Sequence, residues 1–178
     1  MRERAGGGAM ISPDYCRTMA RYNAWQNGAL RQTIVGMDRA ALEADRGAHF
    51  GSIWATVNHL LWADLVWMSR LAGGARPAGG IAESVCQARN PADWEAGRFR
   101  ADGRITLWAE GLHAVDLVGD LTWRSGAAGR EVTMPRALCI VHMFNHQTHH
   151  RGQVHAMLTA AGVTPPPTDL FLMTETAP

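Results

Sequence analysis

The sequence predicts an all-α protein: a four-helix bundle with a small β-hairpin before the last long helix. Four long stretches carry apolar residues at helical spacing. Their ends are marked by serine, proline or glycine residues that commonly cap helices. The chain has 178 residues, 47% of them hydrophobic, which suits one domain with a sizeable core. Amphipathic helices of this kind bury their apolar faces against one another as a bundle.

The first helix is expected over residues 13–37. Ser12 is a favourable N-cap and Pro13 suits the first helical position. Apolar residues then recur through the stretch at Tyr15, Met19, Tyr22, Trp25, Ala29 and Val35. The second helix is expected to begin after a cap at Ser52 and to run to about Leu71, because residues 40–50 show little periodicity.

The third helix is expected to begin at Pro91 and to extend to about Val118, with a buried face that includes Leu107 and Val115. Residues 121–124 and 131–134 flank a glycine-rich stretch and predict the hairpin.

The last long helix is expected to begin at Pro135 and to end at Gly162. Beyond it, residues 168–172 are expected to form a short turn that packs back on the bundle, since their apolar side chains need cover. The segment 73–90 and the hairpin are the parts of the chain expected to shape a pocket.

Composition limits the possible partners and compartment. Residues 1–11 are polar and rich in glycine, so we expect a disordered segment in which Met10 could be the true start, followed by a single domain over 12–175. The net charge is +1, which argues against nucleic acid as a partner, and no apolar run is long enough to cross a membrane. Three widely spaced cysteines favour reduced thiols and a cytoplasmic protein.

Histidines of the second and last helices are the candidate functional residues. His146 and His150 are four residues apart, so on a helix they lie on one face about 6 Å apart along the axis and could share a metal ion. A third ligand must come from another helix, and His59 is the natural candidate. An isolated histidine in an apolar run can also be a hydrogen-bonded core residue.

Two further histidines of the last helix have less defined roles. His142 lies one turn before His146 and could be a fourth ligand, a proton carrier facing the substrate or a group that supports the ligands; a role near the site is favoured. His149 is turned about 100° from His150, and a structural role is favoured for it.

Other residues of these helices are expected to be structural. Asp64 lies off the face that carries His59, and Arg151 is its candidate partner in a salt bridge. Gly152 stands inside the last helix, where glycine costs about 1 kcal/mol, so close helix packing is expected there.

Sequence motifs on three of the helices add a family resemblance. The motifs are Tyr22-Asn23-x-Trp25, Asn58-His59-Leu60-Leu61-x-Ala63-Asp64 with Trp67 and Arg70, and His142-x-x-Asn145-His146-x-x-His149-His150-Arg151-Gly152-Gln153. In this order they resemble the DinB family of damage-inducible bacterial proteins, over about residues 12–172. The resemblance implies an up-down-down-up bundle, usually a homodimer, with a divalent metal on His59, His146 and His150. Zinc or nickel is the expected metal, with iron(II) as an alternative.

Two reactions of a small-molecule substrate follow from such a site. The metal could activate water for hydrolysis of an ester or amide, or a low-molecular-weight thiol for attack on an electrophile. The last helix has no glutamate and no His-Glu-x-x-His motif, which argues against a zincin-type peptidase. Because related branches of the family depend on thiols, the resemblance favours an S-transferase or isomerase, with His142 as the candidate catalytic residue. A stress-response protein that binds metal or ligand without catalysis is the other alternative.

Overall fold

The computed structural model describes residues 9–173, which form five α-helices, one two-stranded sheet and three short 3-10 turns. The helices are α1 (Pro13–Val35), α2 (Arg39–Glu43), α3 (Ile53–Leu71), α4 (Pro91–Glu110) and α5 (Arg136–Ala160). The strands are β1 (Asp120–Ser125) and β2 (Arg130–Pro135), and the turns are Glu83–Cys86, Ala114–Leu117 and Leu170–Leu172. Within residues 9–173, no helix is both long and apolar enough for a bilayer crossing.

Side-chain caps fix where the long helices begin. The Ser12 hydroxyl accepts a hydrogen bond from the Tyr15 amide at 3.1 Å, and Ser52 accepts one from the Ala55 amide at 3.1 Å. Each bond satisfies an amide that has no partner within its helix. Both predicted caps are therefore confirmed. The cap of α4 is Asn90, whose side chain accepts from the Asp93 amide at 2.9 Å.

Contacts between helices give the direction of each. Along α1 and α4, Arg17 lies beside Leu112 and Asn27 beside Asp102, so the two helices are antiparallel. Along α3 and α5, His59 lies beside His146 and Leu71 beside Arg136, so these are also antiparallel.

The other two helix pairs complete the topology. Trp94 of α4 donates to the Val57 carbonyl and Arg104 to the Met68 carbonyl, so α3 and α4 run in parallel. The four long helices therefore run up, down, down and up in the order α1, α3, α4, α5, which confirms the predicted fold class.

Two helical predictions need correction. Residues 39–43 form a short helix that the weak periodicity did not reveal; Asp38 caps its amides. The third long helix ends at Glu110 and not near Val118, because the Asp116 carboxylate accepts from the His113 amide at 2.8 Å and starts a separate 3-10 turn. Leu107 and Val115, expected on the buried face, are 70% and 76% exposed.

The hairpin forms as predicted, with strands slightly longer than expected. Thr122 pairs with Thr133, and Trp123 pairs with Val132. The Trp123 ring packs edge-on against Trp67 of α3, with the ring centroids 5.5 Å apart. This contact sets the hairpin against the end of the helix that carries His59.

The ends of the described chain differ in part from expectation. Of the predicted disordered segment, residues 1–8 lie outside the described range, whereas Ile11 is buried in the core. The predicted turn forms at Leu170–Leu172, but its expected cover is absent, since Phe171 is 83% exposed. The tail is held instead through backbone carbonyls: Gln26 donates to Pro167 O at 2.7 Å.

A buried charge network joins three of the helices. Arg98 of α4 lies 2.7 Å from Asp64 of α3 and 2.8 Å from Asp102, and Asn27 of α1 donates to Asp102 at 2.8 Å. The expected partner of Asp64, Arg151, bonds instead to Gln147 at 3.0 Å.

Replacing Arg98 by alanine is expected to lower the free energy of unfolding by about 3–5 kcal/mol, because two buried carboxylates would lose their counter-charge. Arg100→Ala is the matched control, since Arg100 lies on the same helix with an exposed side chain, and its effect should stay within about 0.5 kcal/mol. Urea unfolding measures both. Equal effects from the two variants would contradict a structural role for the network.

Candidate metal centre

Three imidazoles from two helices converge at one point of the bundle. His59 of α3 and His146 and His150 of α5 each offer a ring nitrogen, and these three nitrogens lie within 4.8 Å of one another. His59 Nε2 and His146 Nε2 are 3.2 Å apart. The structure thus brings together the three residues that the sequence singled out as metal ligands.

The helices produce this convergence directly. The spacing of four residues places His146 and His150 on the same face of α5, with ring centroids 4.4 Å apart. Because α3 runs antiparallel to α5 across that face, His59 is placed opposite both of them. His59 and His150 are each only 5% exposed, whereas His146 is partly exposed, so water reaches the site mainly from the side of His146.

Hydrogen bonds assign the protons of two of the rings. The Ser84 hydroxyl donates its single hydrogen to the Ile81 carbonyl at 2.6 Å, so it can only accept from His59 Nδ1, 2.8 Å away. Nδ1 of His150 likewise donates to Gln153 Oε1 at 2.7 Å. In both rings Nε2 therefore carries the lone pair that a metal ion needs.

The charge state of the rings also suits a metal. Burial, together with the nearby imidazoles, lowers the pKa of His59 to about 4 and that of His146 to about 3. Burial lowers the pKa of His150 as well. All three rings are therefore neutral at pH 7, which is the ligating form.

The donor set and spacing fit a divalent ion. Two histidine nitrogens on a tetrahedral zinc ion lie about 3.3 Å apart, for Zn–N bonds of about 2.0 Å. The 3.2 Å between His59 and His146 already matches this value. The other separations are within 4.8 Å, so side-chain movements on the order of 1 Å would bring them to this value. Imidazole nitrogens suit zinc, nickel and iron(II) alike.

Two supporting residues were not found from the sequence. Phe50 packs on the ligands, with its ring centroid 4.1 Å from His59 and 5.5 Å from His150. Ser84 orients His59 from a 3-10 turn within the loop between α3 and α4. Both lie in stretches without helical periodicity, so no pattern marked them. Gln153 belongs to the quoted motif, but its contact with His150 became evident only in the structure.

A cavity of about 590 Å³ opens on one side of the triad and is lined there by His59 and His146. As expected, it is shaped by the loop after α3 and by the hairpin, which contribute Ile81 and Trp123 among other residues. Most of its wall is aromatic or aliphatic. No aspartate or glutamate lines it within residues 9–173.

His142 lines this cavity beside the triad without joining it. Its ring centroid lies 5.8 Å from that of His146 and 5.1 Å from that of Trp67, and the three-residue cluster does not include it. Of the roles left open by the sequence, this geometry favours one next to the site.

The outer face of α5 carries two residues without a place in the site. His149 is exposed and its Nε2 accepts from the Gln153 amide at 3.2 Å, which agrees with a structural role. Gly152 is exposed, and no neighbouring atom lies within 4 Å of the position where its Cβ would be. The expectation of close packing at Gly152 is therefore wrong.

Comparison with known proteins agrees with this fold. The structure of YfiT from Bacillus subtilis, described as a probable metal-dependent hydrolase with an unusual four-helix bundle topology, is similar with a TM-score of 0.64. The similarity covers 90% of this chain and 95% of that one at 14% sequence identity, which supports the shared fold.

Sequence comparison identifies the family. The Protein DinB of Bacillus subtilis (strain 168) is 27% identical over 170 residues, covering 92% of this chain and 97% of the relative. The family model of the DinB family matches residues 10–177. The chain therefore belongs to the DinB family.

Proposed function

We propose that this protein binds a divalent metal ion on His59, His146 and His150 and activates a low-molecular-weight thiol for attack on a small electrophile. One observation carries the proposal: three neutral imidazoles converge beside a mostly apolar cavity that has no acidic residue in its described wall. When bound there, the metal would lower the pKa of a coordinating thiol or water. The cavity is large enough for a small organic substrate.

The residues around the triad would hold the ligands in place for this chemistry. Ser84 and Gln153 fix the ring orientation of His59 and His150 through their Nδ1 atoms. Such outer hydrogen bonds keep imidazoles aligned for metal binding, and their loss commonly weakens metal affinity about 10- to 100-fold. Phe50 keeps water from one side of the rings.

The absence of a carboxylate from the described wall favours thiol activation over hydrolysis. Hydrolysis needs a base to move protons between water and the leaving group. A thiol loses its proton once, and the thiolate is itself the nucleophile. His142 could accept that proton at a ring nitrogen, because it lines the cavity beside the triad. Burial, followed by the charge of Arg70, lowers its pKa, so the ring is neutral at pH 7.

Hydrolysis is the second candidate function. Two observations favour it: YfiT, which shares the fold, is described as a probable metal-dependent hydrolase, and His142 lies in the cavity where it could serve as the base. A protein that binds metal without catalysis would retain the ion, and it would show turnover neither with a thiol and an electrophile nor with an ester.

Metal content tests the ligand set. His59→Ala, His146→Ala and His150→Ala are each expected to lower the bound metal from about one ion per chain to below about one tenth, since two imidazoles rarely hold a structural or catalytic zinc alone. Mass spectrometry of protein purified without a histidine tag measures it. His149→Ala, next to His150 but exposed, and His113→Ala should keep full occupancy; equal losses in all five variants would refute the triad.

Thiol activation is tested with the zinc-loaded chain, a panel of low-molecular-weight thiols and a chlorinated nitroarene as electrophile. We expect thioether formation above the uncatalysed rate, lost in His146→Ala. His142→Asn should lower kcat by about 10- to 100-fold and leave metal content unchanged. Hydrolysis of a nitrophenyl ester without thiol, and no thioether, would favour the hydrolase.

A further inference from the structure

Arg70 places a guanidinium in the wall of the cavity without a protein counter-charge. Among residues 9–173, no carboxylate lies within the 4.0 Å ion-pairing distance of this side chain. Its Cζ lies 4.6 Å from the ring centroid of Trp67 and 5.2 Å from that of Trp123. Arg98, by contrast, is buried between two aspartates.

The two tryptophans hold the guanidinium but do not use its hydrogen-bonding capacity. Aromatic rings attract the cation through their faces. The N–H donors lie in the guanidinium plane and form the fork that matches an oxyanion. Arg70 is therefore positioned by Trp67 and Trp123 with donors available to a molecule in the cavity.

The surroundings of Arg70 favour an anion over water. The side chain is half-buried, and burial, followed by the charge of Arg76, lowers its pKa to about 10. Arg76 lines the same cavity from the loop after α3. Two cations in a wall that has no acidic residue within the described chain give this end of the cavity a positive potential.

The position of Arg70 along α3 sets its distance from the triad. It lies three helical turns after His59 on nearly the same face, about 16 Å along the axis. Observed contacts link the two ends of the cavity: the Trp67 ring lies 4.6 Å from the Arg70 Cζ and 5.1 Å from the His142 ring, and the His142 ring lies 5.8 Å from that of His146. An anion bound by Arg70 would therefore be separated from a group at the triad by about the length of a small, extended molecule.

We propose that Arg70 is a substrate-binding residue that holds an oxyanion, such as a carboxylate, of a small and partly apolar substrate whose reacting group lies at the histidine triad. The inference that the held molecule is the substrate rests on the proposed function. The inference that Arg70 binds an oxyanion is independent of the proposed function.

The first test measures anion binding without using thiol chemistry. The zinc-loaded full chain is titrated with hexanesulfonate, a poor metal ligand, and with the neutral hexanol, and tryptophan fluorescence reports binding because Trp67 and Trp123 flank the guanidinium. We expect the wild type to bind the sulfonate at least about 10-fold more tightly than the alcohol. Arg70→Met should abolish this preference, Arg70→Lys should retain part of it, and Arg100→Met, on exposed α4 surface, should retain all of it.

The second test adds a group for the metal. In cobalt-loaded protein, 6-mercaptohexanoate and 6-mercaptohexanol are compared through the thiolate-to-cobalt absorption band. We expect tighter binding of the carboxylate in the wild type and equal binding of the two thiols in Arg70→Met, with unchanged metal content.

The two tests separate failure of Arg70 from failure of thiol activation. A wild type that does not prefer the sulfonate, or an Arg70→Met variant that keeps the preference while folded by circular dichroism, overturns the role of Arg70. If the sulfonate preference depends on Arg70 but neither thiol gives a cobalt band, the anion site is supported. In that case only the proposal of thiol activation fails.

Discussion

The approach of His59 Nε2 to His146 Nε2, at 3.2 Å, is the interaction on which the site depends. It requires α3 and α5 to pack antiparallel with these two residues in register. The proton of His59 is held at Nδ1 by Ser84, so the lone pair of its buried Nε2 faces the His146 nitrogen. Burying such polar groups is unfavourable unless they gain a partner. A proton on His146 Nε2 or a divalent ion shared by the rings would supply that partner, and the low histidine pKa values keep the rings in the neutral form that a metal needs.

The cavity gives the triad a chemical context with two different ends. At one end are neutral imidazoles suited to a metal. At the other is the guanidinium of Arg70, which has no counter-charge among residues 9–173 and is held by Trp67 and Trp123. The apolar wall between them would suit a molecule with an aliphatic or aromatic body. Trp123 lies on the hairpin, so this small sheet, which also adds Leu121 to the core, completes the wall of the cavity.

The sequence was most informative where periodicity and caps act locally. Ser12 and Ser52 marked helix starts through their own hydrogen bonds, and the spacing of His146 and His150 defined a shared face. Features that depend on the docking of distant segments were not accessible. Asp64 pairs with Arg98 because α3 and α4 pack against each other, and Ser84 reaches His59 from a loop without a recognisable pattern. Metal binding itself is a prediction that the sequence motif and the geometry both support.

Anomalous diffraction from crystals of the zinc-loaded protein, collected on both sides of the zinc absorption edge, tests the central claim most directly. We expect one strong anomalous peak per chain, about 2.0–2.1 Å from Nε2 of His59, His146 and His150, with an open coordination position towards the cavity. A peak at another place, or none at this triad after zinc loading, would contradict the claim that the three histidines form a metal centre.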